Sequence, residues 1–215
     1  TDLGAGTQVA MKDLEIRGAG NLLGGQQSGH IEGVGFDLYI RMVGEAVADF
    51  KGDGEEELPP MKVELPIDAH LPTDYVEPER LRLEAYRKLA SAETEEALKE
   101  VLEELTDRYG PYPDEVAVLA DVARLRIRAR QSGISDIVTQ GNFIRFGPAE
   151  LAEWQVVRLK RLYPKALIKP ALRSILVPKP VSPGKGFDKR ELTGSELLEW
   201  CRTLLDQVFP LDEAA

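Results

Sequence analysis

Apolar positions fall into three textures along the chain. In the first fifty residues, Val9, Ala10, Asp13, Leu14 and Arg17 share one helical face, and Leu38, Tyr39, Met42, Val43, Ala46, Val47 and Phe50 recur at helical spacing. Glycines at 18, 20, 24, 25, 29, 33 and 35 separate the two runs, so the pattern predicts helix, glycine-rich turn, helix. The next stretch, 51–62, has no apolar period; its acidic block and the pair Pro59-Pro60 predict a solvated linker.

From residue 63 onward the pattern predicts a compact α+β domain, with helices packed on a small sheet. An extended segment over 63–65 precedes Pro66. Pro78 suits the start of a helix marked by Leu81, Ala85, Tyr86 and Leu89. Ala97, Leu98, Val101, Leu102, Leu105 and Tyr109 mark a second helix, which Gly110 and Pro111 end. A third runs from Asp114 to Gly133 with Val116, Ala120, Ala123 and Ile127 inward. The period then changes: 134–138 and 143–146 flank Gln140-Gly141-Asn142, which predicts a hairpin. A helix over 149–162, extended runs at 166–169 and 174–177, and a last helix complete the domain. That last helix is opened by the Thr193-x-x-Glu196 capping-box pattern and turns Leu197, Leu198, Cys201, Leu204, Leu205 and Val208 inward.

Charge sharpens the picture. The formal net charge of −10 argues against nucleic-acid binding over the whole surface, but the acidity is concentrated in the first half. Between Arg158 and Arg190, ten Lys or Arg stand against Asp188 alone. This stripe is either a solvated face or a candidate DNA-binding surface led by Arg158, Lys160, Arg161 and Lys165, with Tyr163 or Phe187 available to stack on bases.

The sequence offers no self-sufficient active site. A phosphate-cradling loop needs Gly-Lys followed by Ser or Thr, and Gly184-Lys185 is followed by Gly186. The run from Gly18 to Gly24 has one residue too many for a dinucleotide fingerprint and follows a helical pattern, not a strand. Ser28, His30 and Glu32 are sequence neighbours without a nucleophile motif around the serine, and His30 and His70 read as loop residues. One cysteine and two histidines give no metal-ligand spacing, and Cys201 belongs to an apolar stripe. No apolar run has the length of a membrane helix, so the chain reads as a cytoplasmic protein that meets no membrane.

One sharp motif remains: Asp13-Leu-Glu-Ile-Arg17-Gly-Ala-Gly20-Asn-Leu-Leu-Gly24-Gly-Gln-Gln27-Ser-Gly29. It resembles the translocation motif shared by the RecG helicase and the transcription-repair coupling factor (Mfd) family. His30-Ile-Glu-Gly-Val-Gly-Phe36 and the later Val63-Glu-Leu-Pro-Ile-Asp-Ala-His70 and Glu104-Leu-Thr-Asp107-Arg108-Tyr-Gly110 resemble the coupling-factor family specifically. The resemblance implies three parts: a helical hairpin at the end of a motor lobe over 1–50, an acidic linker over 51–62, and a regulatory C-terminal domain over 63–215.

It also implies roles. Arg17 and Gln27 match the arginine and glutamine that couple ATP hydrolysis to stepping along duplex DNA, and their side chains suit the task, one a rigid fork of donors, the other able to donate and accept. Glu104, Asp107 and Arg108 match an interface that docks on the N-terminal UvrA-binding domain of the same protein and masks it. Asp107 stands in the last turn of its helix, where a negative charge opposes the helix dipole. ATP and Mg belong, in this family, to the motor lobes upstream, and RNA polymerase and UvrA are met by other domains. Thr1 is therefore expected to lie within the motor, past its last helicase motif, and this chain alone is expected to bind no cofactor, hydrolyse no ATP and not translocate.

Overall fold

A computed structural model describes residues 61–183 and 189–212; the expected N-terminal hairpin, with Arg17 and Gln27, and the linker to Pro60 lie outside them. The described residues are α+β and divide into two compact units, one over 67–124 and the other formed by 61–66 together with 125–212.

In the first unit, residues 67–71 bury alternate side chains, Ile67, Ala69 and Leu71, and a turn in which the Tyr75 and Val76 amides bond to the Pro72 carbonyl then buries Val76, all four at 3% exposure or less. Two helices follow, α1 (Glu79–Ser91) and α2 (Glu95–Tyr109). Pro78 occupies the N-cap of α1 and gives no side-chain cap; the buried Arg82 instead donates to the carbonyls of Val76 (2.9 Å) and Glu77 (2.6 Å), fixing the chain as it enters the helix. Thr94 caps α2, its Oγ1 accepting from the Ala97 amide at 3.1 Å, and Glu95 and Glu96 complement the dipole in the first turn. Leu98, Leu102 and Leu105 are the buried face of α2. Gly110 ends it at φ +84, a conformation that a side chain at Cα disfavours. Tyr75 ties this turn to that end: its hydroxyl donates to the Gly110 carbonyl at 2.8 Å, and its ring meets Tyr109 edge-on.

Helix α3 (Asp114–Gln131) contributes residues to both units, the division falling after Arg124. The expected inward residues Val116, Ala120, Ala123 and Ile127 are all buried, but so are Leu119, Val122, Leu125, Ala129, Arg126 and Arg128. The single apolar stripe of the sequence pattern is thus a helix covered on most of its circumference.

The second unit is built on a five-stranded sheet in the order β1-β2-β3-β5-β4. Its strands are β1 (Lys62–Glu64), β2 (Asp136–Gln140), β3 (Phe143–Gly147), β4 (Leu167–Lys169) and β5 (Ser174–Pro178). β1 begins at Lys62, inside the stretch expected as linker, and pairs parallel to β2; the other pairings are antiparallel. The predicted hairpin forms, with Gly141-Asn142 between β2 and β3 and Gly141 at φ +60. Ile137, Ile144, Phe146, Ile175 and Val177 are at most 1% exposed, and α5 (Gly194–Val208) meets this layer through Trp200, whose ring lies 6.3 Å from that of Phe146.

Two helix starts differ from expectation. Helix α4 (Glu153–Leu162) begins four residues after 149, because the Ala149 amide bonds to the Arg173 carbonyl and Ala152 becomes the N-cap, its amide satisfied by Gln155 Oε1 at 2.8 Å. For α5, Thr193 does occupy the N-cap but makes no side-chain cap, so the capping box is absent; Gly194 at φ +60 departs from the helical first turn that such a box requires. Cys201 is fully buried in the stripe of α5, and burial pushes its thiol well above its usual range.

The far end of α5 carries Asp206 and no basic residue in its last turn, leaving its carbonyls uncompensated. Arg128 of α3 supplies the charge: it donates to the carbonyls of Leu205 (3.1 Å) and Phe209 (2.8 Å) and to Asp206 Oδ1 (2.7 Å). Arg128→Met is expected to lower the unfolding free energy in urea by about 2 to 4 kcal/mol, since it removes the charged donor from two carbonyls at a helix end, leaving the Leu205 carbonyl only the Phe209 amide and the Phe209 carbonyl only the Ser132 hydroxyl, and takes the partner from Asp206. Asp206→Ala, with a carboxylate 67% exposed, should cost only about 0 to 1 kcal/mol. Equal losses for the two variants would show that Arg128 acts through the ion pair alone.

Candidate functional site

The residues picked out as an interface lie on the C-terminal half of α2, where the helix presents two different sides. Glu104 and Arg108, four residues apart, share one side. Lys88 of α1 donates to both Glu104 oxygens, at 2.8 and 3.0 Å, and Arg108 lies 3.8 Å from the same carboxylate. The Lys88 hydrogen bond holds the Glu104 carboxyl below its ordinary value, against a smaller opposing effect of burial, and Arg108 adds to the lowering. The same bond raises Lys88.

Asp107 lies around the helix from that cluster, on an open groove of about 630 Å³ floored by Leu102 and Tyr112. Glu95, Glu96, Glu103, Lys99 and Arg124 complete its charged walls. Most of these charges are matched internally: Arg124 pairs with Asp121 at 2.8 Å and Glu95 at 3.5 Å, and Lys99 with Glu103 at 4.0 Å. Asp107 is exposed and has no ion-pair or hydrogen-bond partner among the described residues. The arrangement therefore offers an unmatched carboxylate at the edge of an acidic groove, beside a neutralised cluster ending in the exposed Arg108.

The residues of the basic stripe are dispersed. Arg158 donates to the Gln207 carbonyl at 3.0 Å and covers the Trp154 ring at 5.0 Å. Lys160 donates to the Ala166 carbonyl. Arg161 and Lys165 are exposed. Tyr163 gives its hydroxyl proton to Gln207 Oε1 at 2.7 Å and sets its ring edge-on to Trp200, so it is a packing residue and not a free platform for a base; Phe187 lies outside the described residues. His70 is a loop residue bonded to Asp68 at 2.9 Å. Among the described residues no cluster of His, Cys, Asp or Glu is placed to hold a metal, and no helix is long and apolar enough to cross a membrane.

Residues 65–159 match the family model of the TRCF domain. A transcription-repair-coupling factor of Mycobacterium tuberculosis is 48% identical over 197 residues, which is 86% of this chain and 16% of the relative, and that of Mycobacterium bovis is equally similar. The chain belongs to the transcription-repair coupling factor family. A third member of that family, from Staphylococcus epidermidis, is 47% identical over 147 residues, covering 67% of this chain and 13% of the relative. The chain thus spans about a sixth or less of the length of these relatives. A crystal structure of the C-terminal domain of transcription-repair coupling factor shares the fold, with a TM-score of 0.54, 20% identity, and coverage of 68% of this chain and 90% of that one. The family match takes in Glu104, Asp107, Arg108 and Arg158, and ends before Lys160, Arg161 and Lys165.

Sequence reasoning passed over Lys88, which neutralises Glu104, and Arg124, which neutralises one wall of the groove. Both stand on helix faces whose pattern reads simply as solvated. The Lys88–Glu104 pair gives a pH signature. Glu104 is depressed, so its contribution is present above its unfolded value near pH 4.5 and is lost as pH falls through the lower folded value. Lys88 is raised, so its contribution holds below about pH 10.5 and is lost as pH rises through the folded value. In an NMR titration the Glu104 side chain should reach its midpoint below 4.5. Lys88→Met should move that midpoint up. An unchanged midpoint in Lys88→Met would mean that the pair does not form in solution.

Proposed function

We propose that this chain is the coupling and regulatory part of an ATP-dependent duplex-DNA translocase that removes stalled RNA polymerase and recruits UvrA for nucleotide excision repair. Arg17 and Gln27 couple ATP hydrolysis in the motor lobes, which hold ATP and Mg, to movement along DNA. The α2 end docks on the N-terminal UvrA-binding domain of the same protein and masks it. The observation that carries the regulatory role is Asp107: an exposed carboxylate, without an ionic partner, in a helix turn whose dipole disfavours it. An unpaired charge at such a position supports the reading that a cationic partner meets it.

A second reading makes the basic stripe a DNA-binding module. The exposure of Arg161 and Lys165 favours it, whereas Arg158 and Lys160 already donate to backbone carbonyls. Phosphate contacts would give a steep loss of duplex binding with salt.

Because Asp107 and Arg108 face different sides of α2, their variants are informative singly as well as together. In the full-length parent factor, Asp107→Ala with Arg108→Ala should increase UvrA binding and ATPase rate and leave the melting temperature nearly unchanged. Truncating one side of a desolvated interfacial pair costs roughly 2 to 5 kcal/mol. Asp107→Ala alone should carry most of the effect, since Arg108 has Glu104 beside it. Loss of stability without a gain in UvrA binding would make these residues ordinary helix-end structure.

The coupling role has its own test. Arg17→Ala in the parent factor should abolish triplex displacement while nucleotide binding is retained; displacement at the normal rate would remove Arg17 from the coupling path.

A further inference from the structure

Eight large hydrophobic side chains are exposed among the described residues, and five of them, Trp154, Val157, Leu162, Leu167 and Leu172, fall within nineteen consecutive positions. Single exposed apolar residues are ordinary, but a local concentration is not. The same stretch contains no acidic residue from Trp154 to Phe187. Its most regular part is α4. Gln155, Arg158, Leu159 and Tyr163 form the inward side of that helix, bonded to Val208 and Gln207 or buried. Trp154, Val157 and Arg161, spaced by three and four residues, lie on the opposite side, and Trp154 is 49% and Val157 68% exposed. The acids just before it in sequence are Glu153, in the first turn where the dipole favours it, and Glu150, which pairs with Arg173 at 3.1 Å.

We infer that the outward face of α4, formed by Trp154, Val157 and Arg161, docks an acidic segment of a partner protein that carries apolar side chains between its carboxylates. Two features favour a protein over a nucleic acid. Val157 is aliphatic and offers nothing to a phosphate, whereas tryptophan and arginine are both among the residue types enriched at protein–protein hot spots. One face of Trp154 is already covered by the Arg158 guanidinium, which removes a surface for base stacking and gives the indole a fixed orientation. The charge of the occupant follows from Arg161 in the last turn and Lys165 just beyond it, both exposed and both within the stretch that holds no acid. This face is separate from the α2 site and does not rest on its reading.

The test uses the full chain and three fluorescein-labelled probes followed by anisotropy at low salt. One is a short peptide alternating Glu with Leu and Phe, the second has Lys in place of Glu, and the third is a short DNA duplex. The expected result is saturable binding of the acidic peptide alone, weakened at least tenfold by Val157→Asp and by Arg161→Glu. Both positions are exposed, so circular dichroism and the melting curve should be unchanged. Failure of the acidic peptide to bind, or equal binding by Val157→Asp, would overturn the proposal. Tight duplex binding that Arg161→Glu abolishes, with no binding of the acidic peptide, would overturn the proposal and assign the face to nucleic acid instead. A concentration-dependent dimer in sedimentation that Val157→Asp dissolves would assign it to a second copy of the chain.

Discussion

Arg128 closes the second unit. The α5 helix supplies six buried side chains to the core that covers the sheet, yet its last turn contains an acid and no base. A helix ending this way leaves carbonyls and a like charge together. The compensating guanidinium comes from α3, some eighty residues earlier, and reaches the carbonyls of Leu205 and Phe209 while pairing with Asp206. Gln155 of α4 adds a bond to the Val208 carbonyl and Arg158 one to that of Gln207. Donors from two other helices therefore meet at one helix end, and the positions of α3, α4 and α5 are determined together there.

The same logic separates the two sides of α2. Where charges have internal partners, as with Lys88, Glu104 and Arg108, they join α1 to α2. Asp107 has none and stands over a groove. A helix can thus be structural along one edge and available along the next. The three residues that sequence resemblance groups as one interface divide, in space, into a neutralised pair and an open acid.

Periodicity made most of the elements legible. The hairpin at Gly141-Asn142, the end of α2 at Gly110 and the buried stripe of α5 all follow from residue types whose preferences are local. What was not legible depended on remote partners. Arg82, Arg126 and Arg128 are buried although they fall outside the apolar pattern, and nothing nearby in sequence announces the carbonyls that receive them. The start of α4 moved because a distant carbonyl, that of Arg173, takes the Ala149 amide. Thr193 has the right neighbours for a capping box, and one glycine conformation denies it. The candidate site was legible as a motif, but its division into two sides required the positions of Lys88 and Arg124.

The parallel pairing of β1 with β2 carries a consequence for the order of events on the ribosome. The chain leaves the sheet after Glu64 and returns at Asp136, and the first unit occupies most of the interval. An edge strand of three residues cannot hold a fold by itself. At synthesis rates of roughly 5 to 20 residues per second, β1 waits several seconds for its neighbour. During that time the helices of the first unit, whose contacts are nearer in sequence, are complete and able to form. The first unit is then an insertion that can form before its host, and β1, made ahead of the other strands, joins the edge of the sheet only once β2 has been made.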